Sequence, residues 1–459
     1  MADDDTTQCW LFGDLARRPV TVRFDQTGAS SDGGAMLLGA ADRRLGLSEA
    51  LAECIVDGRH SQRVVHEISD LVRQRVYAIA CGYPDGNDAA RLSSDPVHKL
   101  LVGRDPVGEE DLASQPTLSR FENGVGRADL FRMGEALAER MIERHRRRRR
   151  GRARVVTIDL DQTDDPVHGQ QQLALFNGYY GQWCFLPLLG FVSFDDEADQ
   201  YLVAAVLRPG NSPDKVGSLA VLSRLLPRLR TAFPKARFRV RLDAGFAAPE
   251  VLDFLDTEGD VDYAVAMGKN CVLLQRVGKH MAQARRLSKA SGETEHVYAE
   301  TLYAAKTWPH RRRIIMKAEV TRHPGRDPKD NPRFVVTNMR QTPRWVYEDF
   351  YCHRGDIENR IKELHHGLEI DRTSCSRFLA NQLRVLLTAA AYVLMQDLRL
   401  RAARTKLARA QVSTLRDALL KIGARVTASV RRIVLNMPES FPFTHAWGTV
   451  ARSLGASPG

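Results

Sequence analysis

Two short apolar runs in this sequence end in acids. Val155-Val156-Thr157-Ile158 leads into Asp159-Leu160-Asp161-Gln162-Thr163, and Phe238-Arg239-Val240-Arg241-Leu242 leads into Asp243-Ala244-Gly245-Phe246. A carboxylate at the edge of a core is costly to leave unpaired, so an acidic strand end holds a metal, pairs with a base or reaches solvent. A third acid, Glu358, lies in a stretch with helical spacing. With Glu358 at zero and 100° per residue, Tyr351 falls at about +20°, Arg354 at about −40°, Lys362 at about +40° and His365 at about −20°. Phe350, Ile357, Ile361, Leu364 and Leu368 form an apolar stripe to one side, as a half-buried helix requires.

Three carboxylates, Asp161, Asp243 and Glu358, could hold two Mg²⁺ (or Mn²⁺) ions about 4 Å apart, which need oxygen ligands and a bridging carboxylate. Such a centre acts on phosphodiesters. The flanking Tyr351, Arg354, Lys362 and His365 would hold a DNA backbone. The plainer reading is an acidic turn at each strand end and a salt-bridge ladder of Glu358 with Arg354 and Lys362. Asp159 and Asp161 share one strand face, and on spacing either could be the first ligand.

The elements that must position these residues follow from the rest of the chain. Its 459 residues suggest two or three domains, and 43% hydrophobic content is ordinary for a globular protein. The seven cysteines are dispersed, which argues against a disulfide framework or a zinc finger. The acidic start lacks the layout of a secretory signal, no apolar run approaches membrane-spanning length, and a cytoplasmic protein is expected. The net charge of +11 points to a polyanionic partner.

Residues 1–150 read as a mainly helical region, with a Gly/Ser/Asp loop at 28–34 and amphipathic helices at 61–80 and 129–144. Pro116-Thr117-Leu118-Ser119-Arg120-Phe121 has the pattern of a helix-turn-helix recognition helix, with Arg120 as a reading residue, and equally that of an ordinary amphipathic helix. The arginine run at 146–154 reads as a solvated linker or a phosphate-binding stretch. Residues 151–269 give strand, strand, strand, helix, strand, helix, strand, a mixed sheet with helices on its faces. Residues 270–340 read as a mostly β insertion, 341–400 as the return to the core with the Glu358 helix, and 401–459 as a basic C-terminal region. Glu358 follows Asp243 by 115 positions (358 − 243), far beyond one loop.

Asp161-Gln162-Thr163, Asp243-Ala244-Gly245-Phe246 and Tyr351-x2-Arg354-x3-Glu358 resemble the DDE transposases of bacterial insertion sequences, in the IS4-like group. That group's helix signature ends in a Lys, and this position falls on His365 here. His168-Gly169-Gln170-Gln171, Asn177-Gly178-Tyr179-Tyr180-Gly181 and Arg208-Pro209-Gly210-Asn211 extend the resemblance to the IS1380 family. The resemblance implies an RNase H-like core with a β-rich insertion, a helical N-terminal DNA-binding region and a helical C-terminal region. It also implies a homodimer on paired transposon ends, with terminal inverted repeats and target DNA as partners, and no membrane. It favours Asp161 as the first acid, from its Asp-x-Thr context. The rivals are an RNase H-like nuclease without strand transfer and a catalytically silent DNA-binding regulator.

Overall fold

The computed structural model describes residues 9–108 and 110–457. The acidic start at 1–5 lies outside the described residues. The chain forms two compact units. The larger comprises Leu45–Gly58 and Phe121–Gln396, and the smaller comprises Met1–Arg44, Arg59–Arg120 and Asp397–Gly459.

The larger unit is a mixed α/β structure built on a nine-stranded sheet. Across it run Glu295–Tyr303, Arg312–Thr321, Arg333–Thr337, Val261–Met267, Arg237–Leu242, Val155–Gln162, Leu188–Phe194 and Tyr201–Val206, and Lys329–Asp330 pairs with Arg312–Thr321 off this path. Val155–Gln162, Arg237–Leu242 and Val261–Met267 are parallel neighbours, and the other pairings along the path are antiparallel. Parallel neighbours need crossovers, which the helices Ser218–Ala232 and Pro249–Thr257 supply. Val155–Gln162 is buried from Val156 to Asp161, which its β-branched, near-continuous apolar run dictates for a strand covered on both faces.

Tyr201–Val206 ends the sheet on one side, and an open strand edge invites pairing with another chain. Two glutamines of the helix Phe378–Arg401 cover it. Gln382 accepts from the Leu207 amide at 2.7 Å and donates to the Ala205 carbonyl at 3.3 Å. Gln396 accepts from the Leu202 amide at 3.2 Å and donates to the Gln200 carbonyl at 2.7 Å. This 24-residue helix is long and apolar enough to cross a membrane, contrary to the sequence reading, and 83% of its most apolar window is buried within the protein.

Three further sequence expectations change. The segment read as mostly β opens with the 21-residue helix Cys271–Ser291, and its strands extend the central sheet. The arginine run does not form a linker from its start. The helix Arg127–Arg149 continues through it, Arg146 and Arg147 pair with Glu143, and Arg148 and Arg149 pair with Glu197. The helix expected over 61–80 begins only at Ile68 and runs to Ala80, and Val65 is exposed.

In the smaller unit, Ala424–Ala428 and Ile433–Asn436 form a hairpin, and Ala29–Ser30 adds to it. The Gly33 and Gly34 amides donate to the carbonyls of Ile422 and Leu420 at 2.8 and 3.2 Å. A Cβ on Gly34 would lie 1.9 Å from the Leu419 carbonyl oxygen, so only glycine permits this approach. Behind the loop, buried Asp32 meets His98 at 2.9 Å and Lys421 at 2.8 Å.

Candidate active site

The parallel register places Arg241 opposite Asp159. Two residues further along each strand stand Asp243 and Asp161, leaving the sheet at the same carboxyl edge, where ligand sites of such sheets collect. Asp159 is inside the protein. It is fully buried, and its two oxygens accept from Arg241 Nε and Nη2, each at 2.7 Å. Arg241 Nη1 also donates to the Phe350 carbonyl at 3.1 Å, fastening the Glu358 segment to the sheet. Asp161 lies one step nearer the edge. It accepts from Arg354 Nη1 at 2.8 Å and from the Gln162 amide at 3.0 Å. Asp243 caps a turn, accepting from the Gly245 amide at 3.0 Å.

Burial pushes the Asp161 carboxyl up to about 6, with the Asp243 charge adding to the rise and Arg354 opposing it. Burial raises Asp243 as well, against Arg354 and the Gly245 amide. Burial works against the Arg354 charge, but Asp161, Tyr351 and Asp243 outweigh it and raise its pKa. One guanidinium thus pairs with Asp161 and acts on Asp243 only through space. An all-oxygen donor set short of positive charge at one strand edge suits a hard divalent cation such as Mg²⁺.

The stretch carrying Glu358 is helical but unevenly wound. Trp345–Tyr351 and Glu363–Gly367 are wide π-type turns, Cys352–Gly355 is a tight 3₁₀ turn, and only Asp356–Lys362 is regular α-helix. The uniform 100° step therefore misplaces the face. Tyr351 and Arg354 are half-buried, whereas Glu358 and Lys362 are exposed. Arg354 is paired to Asp161, so in place of the Glu358–Arg354 ladder of the plainer reading there is a bond to the sheet. Among the described residues, the one trio of potential metal ligands with all donor atoms within 4.8 Å is Asp32, Cys81 and His98. There the Lys421 ammonium already neutralises Asp32. The carboxylates of Asp161, Asp243 and Glu358 are more widely spread.

His365 Nδ1 donates to Asp371 at 3.2 Å, and its Nε2 shares a hydrogen bond with Thr163 Oγ1 at 2.7 Å. Arg120 is exposed on the helix Gln115–Gly124 and donates to Thr117 Oγ1 at 3.2 Å.

Sequence reasoning missed the neighbours of Asp161. Gln162 Nε2 donates to Asp214 at 2.6 Å, and Gln162 Oε1 accepts from Arg208 at 2.7 Å. Thus three consecutive residues reach three elements: Asp161 the Arg354 turn, Gln162 the loop at 208–217, Thr163 the end of the Glu358 stretch. The signal was Arg208 itself, since an arginine buried at the end of an apolar strand must find acceptors. The Arg208-Pro209-Gly210-Asn211 and Asn177 motifs interlock, Asn177 Nδ2 donating to the Gly210 carbonyl at 2.8 Å. Beside them, buried Asp165 meets Thr373 Oγ1 with both oxygens at 2.9 Å. Burial pushes its carboxyl up to about 8, against the Thr373 hydrogen bond.

Residues 12–458 match the family model described as transposase DDE domain, group 1. None of the curated proteins matches the chain. Among solved structures, the chain is similar to the piggyBac transposase in its synaptic complex with hairpin DNA, at 9% identity and a TM-score of 0.43, over 81% of this chain and 77% of that one.

Proposed function

Because the chain belongs to the transposase family with a group 1 DDE domain, we propose that it excises and inserts an insertion sequence of the IS1380 type. It binds the terminal inverted repeats, hydrolyses the DNA ends and joins the 3′-hydroxyls to target DNA. The single observation that carries this reading is the pair Asp161 and Asp243 at adjacent parallel strand ends, both with raised pKa values. The sheet order, with the Asp161 strand between Leu188–Phe194 and Arg237–Leu242, the second and fourth strands of the central sheet in chain order, favours an RNase H-like core.

In this reading Asp161, Asp243 and Glu358 hold two Mg²⁺ or Mn²⁺ ions, Asp161 rather than Asp159 being the first ligand. Bound divalent ions polarise the scissile phosphate and lower the pKa of the attacking hydroxyl. Arg354 holds Asp161 in place between the strand end and the helix. Tyr351 and Lys362 orient the strand to be cut by binding its backbone, Lys362 as a point charge. His365, with both nitrogens engaged, anchors the Glu358 stretch to Thr163. The mainly helical N-terminal region, with Arg120, contacts the repeats, and two copies of the chain synapse the ends.

The test uses purified protein, Mg²⁺ and DNA carrying the element's ends. Asp161→Ala, Asp243→Ala and Glu358→Ala should each abolish cleavage, and cleavage surviving in any of them removes that residue from the centre. Cleavage without joined products in the wild type would favour a plain nuclease.

A further inference from the structure

We infer that Asp214 is a fourth carboxylate of this centre, set beside Asp243 to share the cation on that side. The inference rests on the proposed reading of Asp161 and Asp243 as metal ligands.

Asp214 lies in the loop after the edge strand Tyr201–Val206, and that loop is tied down from within. Arg208 Nη1 donates to the carbonyls of Asp214 at 2.8 Å, Val216 at 3.0 Å and Pro213 at 3.3 Å, and its Nε donates to Leu186 at 2.9 Å. Its Nη2 donates to Gln162, whose amide nitrogen then donates to Asp214 Oδ1. The side chain is therefore aimed from two sides.

The other oxygen, Oδ2, rests against Gly245. A Cβ at that position would fall 1.5 Å from Oδ2 and 2.6 Å from the Asp214 Cβ. The glycine of Asp243-Ala244-Gly245-Phe246 is thus required by the approach of a second acid, and not by a left-handed backbone, since its φ is not positive. Asp243 accepts from the amide of this same Gly245. Two carboxylates consequently bracket one residue.

Among the described residues no cation pairs directly with the Asp214 carboxylate, although the Arg208 charge attracts it through space. Lys215 pairs with Glu250 at 2.7 Å, and Arg208 directs its N–H groups to main-chain carbonyls and Gln162. A loop clamp would need only the Gln162 bond. Setting a second oxygen against another acid lowers stability unless a cation joins them. Gln162 and Arg208 are the positioning residues of this arrangement.

The test is titration of Mn²⁺ into the full chain without DNA, followed by calorimetry or by the loss of free-ion EPR signal. Asp214→Asn keeps the acceptor for Gln162 and should weaken at least one Mn²⁺ site by about tenfold or more. Its metal-free melting temperature should match or exceed that of the wild type. Gly245→Ala, which must displace the carboxylate, should give the same loss. Wild-type Mn²⁺ affinity in Asp214→Asn, or weakening matched by a fall in metal-free melting temperature, overturns the assignment of Asp214 alone. Wild-type affinity in Asp161→Asn and Asp243→Asn would overturn the metal centre, and Asp214 with it.

Discussion

Asp159 and Asp161 stand two residues apart on one strand face, and opposite behaviour is expected of them. Asp159→Ala leaves the Arg241 guanidinium, whose side chain is only 7% exposed, without its two 2.7 Å partners. Breaking a buried pair from one side costs about 3–5 kcal/mol. For a unit of this size that is a fall in melting temperature on the order of 10 °C. Replacing both partners by apolar residues, as in Asp159→Leu with Arg241→Met, should recover most of the loss, because it removes the stranded charge. Asp161→Asn should melt no lower than the wild type yet cut no DNA. Scanning calorimetry at pH 7, beside cleavage assays on folded protein, reads both. If Asp159→Ala melts within about 2 °C of the wild type, a shift too small for a broken buried pair, and has lost cleavage, Asp159 is the ligand and the reasoning fails.

Other perturbations have defined signs. The Asp161 carboxyl titrates near 6 in the folded protein against an ordinary 3.8, so wild-type stability falls as pH rises through that interval. Asp161→Asn should lack this fall and gain at most about 3 kcal/mol at pH 7, read by urea unfolding at pH 4 and 7. Asp165 has the same sign over a wider span, from 3.8 to about 8. Asp165→Asn should therefore match the wild type near pH 4 and exceed it near pH 9, and a larger advantage at the acid end would contradict the assigned cause. His365→Ala removes two hydrogen bonds worth about 1 kcal/mol each. It should slow cutting of bound DNA and leave the affinity for DNA ends unchanged, whereas weaker binding with normal cutting would make His365 a DNA contact.

The strand ends were legible because a β-branched run closing in acid has few physical explanations. Val155–Gln162 and Arg237–Leu242 formed where expected, and their parallel pairing brought the acids to one edge. The face of the Glu358 stretch was less legible. Slips from α to π and 3₁₀ winding are decided by backbone hydrogen bonds that the side-chain pattern does not encode. The helix Cys271–Ser291 was hidden by its charge. Leu273, Val277, Met281 and Ala284 recur at helical spacing and are buried, but Arg276, Lys279, Arg285 and Arg286, among and just beyond them, made the segment read as part of a basic, mostly β insertion. Asp214 was invisible because the residues that define it are distant, Gln162 by 52 positions and Gly245 by 31 (245 − 214).

The 115 positions between Asp243 and Glu358 also set a schedule. At roughly 5–20 residues per second of synthesis, they separate the two acids by roughly 6–23 s. Throughout that interval the growing chain already carries its N-terminal helices and two of its acids, while the strands that extend the sheet are still being made. A product that stops short of Glu358 is therefore a different molecule from one that passes it: it keeps the surfaces encoded early and lacks the last acid. Translation past a single helix thus separates a chain with two of the three proposed ligands from one that carries all three.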